Sequence, residues 1–212
     1  MVGRVGQRLG RARRVSLRSC AVAVTAGLCV WIGTGAILSG FGVANLAYPL
    51  AMLRLRLPVV FPAHMITGGL GLMLAVLAYA VRADARVHRP LGRLAALLLV
   101  AASLTALPTS LESLASPWAR AGFFVQGVAC LACLVAGFQA IRRGHVERHR
   151  RLMLSAAAIA FGAVVLRGLL LAADGLGLAA EPSYAVGAWL AWLMPLAAVN
   201  GWLGVRQSRS RA

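Results

Sequence analysis

Acidic residues are scarce in this chain of 212 residues, with five in all, and lysine is absent, so that all 22 basic residues are arginine. Only 13% of the residues are charged, against 60% hydrophobic. A water-soluble domain has too little polar surface at this composition to cover its apolar side chains, which excludes a soluble globular protein. No strand-like alternation of apolar and polar residues runs through the long apolar segments, and this excludes a membrane β-barrel. The polar segments between them have no room for a separate catalytic domain. No nucleophilic triad and no phosphate-cradling glycine loop is present. Gly68-Gly69 and Gly71 fall inside an apolar run, where close helix packing explains them better than a dinucleotide fingerprint. Four cysteines are present, two of them as Cys130-x-x-Cys133 in the middle of an apolar run. No further ligand set supports a zinc or redox reading there, and helix packing accounts for them.

What the sequence has is length of apolar run. Six segments of about 20 residues are each enough to cross a hydrocarbon core of about 30 Å as a helix. They fall at Ala21 to Phe41, Val60 to Val81, Leu91 to Leu111, Trp118 to Ile141, Leu152 to Ala173 and Tyr184 to Val205. In lipid the backbone must satisfy its own hydrogen bonds, so the segments are expected to be helices. The expected fold is an all-α integral membrane protein.

The net charge of +17 is distributed as a topology signal. Six arginines precede the first span, four lie between Arg82 and Arg93, five between Arg142 and Arg151, and three follow the last span. Those eighteen share one side of a six-span arrangement. Arg54, Arg56 and Arg120 are on the other, and Arg167 lies inside the fifth span. The bias places both termini in the cytoplasm of a cell whose inner membrane the chain spans. Anionic lipid head groups are the expected partners of the arginines, and nucleic acid is not, since no recognition fold accompanies the charge. Arg13-Arg14-Val15-Ser16-Leu17 is similar to a twin-arginine export signal. The long apolar core that follows favours a retained first helix over a cleaved one.

The chain has only four histidines, and two occupy equivalent places. His88-Arg89-Pro90-Leu91 and His149-Arg150-Arg151-Leu152 stand 61 residues apart, each at the entrance to an apolar span. At the same offset Arg82 falls on Arg143 and Leu91 on Leu152. The repeat predicts two helical hairpins forming a four-helix core over residues 60–173, with the first and sixth helices peripheral. Residues 1–20 form a basic N-terminal segment, 21–59 the first span and its outer loop, and 174–212 an outer loop, the sixth span and a basic tail.

The run GHVERHRRLMLSAAAIAFGAVVLRG, together with HRPLGR and the earlier His64 in FPAHMITGG, resembles the predicted membrane proteins grouped as domain of unknown function 2306. The resemblance covers about residues 60–172. It carries over to His64, to His88, Arg89, Gly92 and Arg93, to His149, Arg150 and Met153, and to Leu166 and Arg167. Two positions depart from the family pattern. Ser155 stands where the family has arginine, and Leu152 where it has an aromatic residue. If that arginine serves the family's activity, Ser155 implies an altered or inactive member. The family name assigns no reaction.

Two candidate sites follow. On the arginine-rich side, His88 and His149 lie at the ends of helices that a bundle would place on one diagonal. Neutral imidazoles suit haem iron, and Arg89, Arg93 and Arg150 suit haem propionates. The plan resembles that of membrane cytochromes b, with a single haem b and a membrane quinone or partner subunit as redox partner. A second haem lacks a ligand, because Val125 and Gln126 stand where a partner for His64 is required. The alternative is a non-redox module, a carrier of a small or lipidic molecule or an accessory subunit, whose His-Arg pairs bond lipid phosphates and anchor the helices. His145, four residues before His149, adds a second imidazole but no carboxylate, a weak metal signal. On the opposite side, His64, Glu112, Gln126 and Arg167 form the other candidate polar set. Arg167 is a costly residue within a span, with Glu112 and Asp174 as its candidate partners, or with its guanidinium snorkelling outward to the loop.

Overall fold

A computed structural model describes residues 17–209, with side-chain surroundings from Cys20 to Leu203. Arg13 to Ser16 of the twin-arginine-like run and most of the basic N-terminal segment lie outside the described residues. The chain forms α1 (Leu17–Phe41), α2 (Tyr48–Arg56), α3 (Val60–Ala80), α4 (Ala85–Leu111), α5 (Pro117–Arg142), α6 (Val146–Gly175) and α7 (Ala180–Arg209). There is no strand among the described residues. All but α2 are long and apolar enough to cross a membrane.

Local sequence sets where these helices begin and end. Asp84 caps α4 by accepting from the Arg86 N–H at 2.9 Å, and Ser116 caps α5 with Pro117 in the first position. The arrangement at the end of α5 is a Schellman motif. Gly144 takes φ 76°, the His145 N–H reaches back to the Ala140 carbonyl at 2.9 Å, and the Gly144 N–H reaches Ile141. A Cβ at position 144 would strain this turn. Gly42 ends α1 in the same way.

Helices α3 to α6 form the four-helix core as two hairpins, α3–α4 and α5–α6. α4 packs on α5, and a narrow seam between α3 and α6 closes the ring. That leaves α4 and α6 on a diagonal. α1 lies along α3, and α7 lies along α6 and α5. Leu99, Cys130, Leu134, Ala156, Ile159 and Trp192 are buried together and join α4, α5, α6 and α7. Cys130 therefore packs in the core, and the described cysteines are all free. Cys29, Leu72 and Val164 tie α1 and α3 to α6.

Lipid offers helices little hydrophobic drive to associate, so close backbone approach matters. α1 meets α3 where a Cβ on Gly69 would come within 2.6 Å of the Gly33 carbonyl oxygen. α2 is an addition to the predicted outer loop. It is short, and its Arg54 bonds the Ser39 carbonyl near the end of α1 at 3.3 Å.

Candidate functional site

His88 and His149 occupy the same place in their hairpins, the fourth residue of α4 and of α6. His88 Nδ1 donates to the Ala78 carbonyl of α3 at 2.9 Å. His149 Nδ1 donates to the Gly137 carbonyl of α5 at 2.9 Å. A carbonyl oxygen only accepts, so Nδ1 carries the proton in both rings and the neutral ring keeps its lone pair on Nε2. Each imidazole pins the start of one helix to the end of the helix before it. Both side chains are half-buried.

The residues around the pins are basic. Arg82, Arg86, Arg89, Arg93, Arg142, Arg143, Arg148 and Arg150 are exposed, and Arg151 is half-buried. Only Asp84 and Glu147 answer them on this end of the core, and both are engaged. Asp84 caps α4, and Glu147 accepts from Arg150 at 2.8 Å within the first turns of α6. Arg82 lies over the Tyr79 ring at 4.2 Å. The side chains of Arg89 and Arg93 have no hydrogen bond or ion pair to any described residue. His145 stands at the start of α6, exposed, with no side-chain bond to the helix end.

A bis-imidazole haem needs two oriented rings with free Nε2 atoms and cations for its carboxylates. The donor chemistry here fits, since both Nδ1 atoms are held by backbone carbonyls, the usual way a ligating ring is oriented. Arg89 and Arg93 remain for the carboxylates, while Arg150 is already paired with Glu147. No group of three histidine, cysteine or acidic side chains that would hold a metal ion occurs among the described residues.

At the opposite end the second polar set is dispersed. His64 Nδ1, on α3, donates to the Ala102 carbonyl of α4 at 3.0 Å. Gln126 Nε2, on α5, donates to the Ile159 carbonyl of α6 at 3.0 Å. Each bond lies within one hairpin, so these residues repeat the pinning of the other end. Glu112 lies 3.9 Å from Arg56 of α2, and no ion pair joins it to Arg167. Arg167 Nη1 donates to the Ala163 carbonyl one turn back along its own helix, at 2.8 Å, and the side chain is not directed to the outer loop.

The arginines of this end act as helix caps. Arg120 bonds the Leu111 carbonyl and Arg56 bonds the Glu112 carbonyl at 3.4 Å, both at the C-terminal end of α4. A cation there meets the negative end of the helix dipole and the carbonyls left without partners. Charge alone marked Arg56 and Arg120 only as exceptions to the topology bias. The acceptors of the histidine pins had no sequence signal, because Ala78 and Gly137 contribute backbone oxygen.

Six apolar helices with their histidine-pinned core define a polytopic helical membrane protein. The chain belongs to the family described as predicted membrane protein (DUF2306), whose model matches residues 61–203 and so takes in α7 as well as the four-helix core. No curated protein and no solved structure matches the chain. Ser155 is buried on α6 beside Ala156 of the core.

Proposed function

We propose that this chain is a non-redox module of the bacterial inner membrane, seated through its arginine-rich end on anionic head groups of the cytoplasmic leaflet. It would serve as a carrier of a small or lipidic molecule or as an accessory subunit. The observation that carries the seating is the charge imbalance. Nine arginines of the α3–α4 and α5–α6 turns face two carboxylates, both already engaged. Cations so placed attract the anionic leaflet at about 1 kcal/mol each. The histidines then complete two hairpins whose basic turns present this charge together, both termini lying on the same side.

A second reading rests on the free Nε2 atoms. In it His88 and His149 hold one haem b, with Arg89 and Arg93 on its carboxylates. The haem would supply one-electron transfer to or from a quinone or partner subunit, and the protein would supply ring orientation and counter-charge.

Reconstitution into nanodiscs with and without phosphatidylglycerol, at low and high salt, separates the two. Arg89→Gln/Arg93→Gln is expected to lose part of the stabilisation that the anionic lipid confers at low salt, about two of its nine arginine contributions. Undiminished stabilisation would overturn the seating. A b-type reduced spectrum of the wild type, lost in His88→Ala and His149→Ala, would establish the haem reading in place of the non-redox one.

A further inference from the structure

The helices α4 and α6 begin alike but are charged differently. At the 61-residue offset that relates the two histidines, Arg86 falls on Glu147, Arg89 on Arg150 and Arg93 on Leu154. α6 neutralises its own start, because Glu147 accepts from Arg150 at 2.8 Å. α4 has no such partner. The carboxylate beside it, Asp84, is committed to the Arg86 backbone N–H at 2.9 Å. The side chains of Arg86, Arg89 and Arg93 have no hydrogen bond or ion pair to any described residue, and all three are exposed.

Helix geometry puts these arginines in one row. At about 3.6 residues per turn, positions 86, 89 and 93 lie within about 60° of one another and span about 10 Å of the axis. Residues three or four apart on a helix are neighbours, so like charges there repel. The row also starts at the N-terminus of α4, where the helix dipole disfavours cations. Nothing among the described residues offsets these costs, and an anion would. The row faces away from the bundle, since α4 buries Ala95, Leu99 and Ala102 on its opposite side. Below the arginines the same face continues as Leu97 and Leu104, 66% and 51% exposed. Cations at the membrane boundary above lipid-facing leucines match a phospholipid, head group over chains.

We propose that the row Arg86, Arg89 and Arg93 binds one phospholipid whose head group carries two phosphates, with its acyl chains along Leu97 and Leu104. This site rests on the seating proposed above and gives it a particular lipid and a particular helix. A single phosphate bridges only adjacent guanidiniums. Two linked phosphates fill both gaps of the row, one between Arg86 and Arg89 and one between Arg89 and Arg93. Because side chains lean toward the start of their helix, all three arginines reach back to the head-group layer.

The test uses the full chain in phosphatidylcholine nanodiscs doped with phosphatidylglycerol or with cardiolipin at equal phosphate. Thermal unfolding is followed, and retained lipids are counted by native mass spectrometry. One tightly retained cardiolipin is expected, with more stabilisation per phosphate than phosphatidylglycerol gives. Arg86→Gln/Arg89→Gln/Arg93→Gln should weaken its retention on the order of a hundredfold, the combined attraction of three arginines. Arg142→Gln/Arg143→Gln/Arg148→Gln removes the same charge from the other hairpin and should leave the retained lipid in place. Arg86→Glu gives α4 the self-neutralised start that α6 already has, and should release the lipid even if the triple variant does not fold. Equal loss in the two triple variants, or equal stabilisation per phosphate by the two lipids, overturns the site while the seating stands. Stabilisation by neither lipid overturns both. Inorganic pyrophosphate that stabilises the chain in phosphatidylcholine discs as much as cardiolipin does would give the row to a soluble diphosphate, and the lipid assignment fails.

Discussion

The two hairpins of the core solve one problem with different parts. At the arginine-rich end both use histidine, His88 onto Ala78 and His149 onto Gly137. At the other end α3–α4 uses His64 and α5–α6 uses Gln126, each donating to a carbonyl of its partner helix. Imidazole and amide are interchangeable there as donors, whereas only imidazole offers a ligand nitrogen as well. The difference teaches that a histidine in this bundle is first a cross-helix hydrogen-bond donor. The peripheral helices repeat the theme. α1 sits on α3 through Gly33 and Gly69, while α7 sits on α5 where a Cβ on Gly122 would lie 3.0 Å from the Ala188 carbonyl.

The largest test of this pairing is steric. Gly69→Ala forces a methyl group against the Gly33 backbone, which has no rotamer with which to yield, and should destabilise by about 1–3 kcal/mol, as overpacking does. Gly122→Ala is expected to do less. A reversal of that order, read from unfolding midpoints in detergent, would break the correspondence between α1 and α7. Next come the histidine pins. His88→Ala and His149→Ala should each lower stability by about 0.5–1.5 kcal/mol, the usual net value of a hydrogen bond, and should add in the double variant because they serve separate hairpins. A strongly non-additive pair would mean that the two rings share a ligand. The smallest effect is the most pointed. His64→Gln gives the first hairpin the donor of the second and should change stability by less than about 0.6 kcal/mol, the average for a hydrogen bond between membrane helices. His64→Ala should exceed it, and equal losses would show that an amide does not replace the imidazole there.

The sequence by itself determined the six spans, the class of fold, the division into hairpins and the equivalence of His88 with His149. Those follow from one-dimensional quantities: the length of an apolar run, the offset of a repeat, and residue types that lipid does not tolerate without cause. It also marked Arg167 as exceptional, since a charge inside an apolar run is visible without coordinates. Only the tertiary structure decided what these residues touch. The pins end on backbone carbonyls, which every residue has, so no side-chain pattern could point to Ala78, Gly137, Ala102 or Ile159. Glu112 went to Arg56 because α2, a short helix with a weak apolar signal, brings that arginine over the end of α4. Arg167 turned back to Ala163 because side chains lean toward the start of their helix, and the direction of α6 makes that the inward direction.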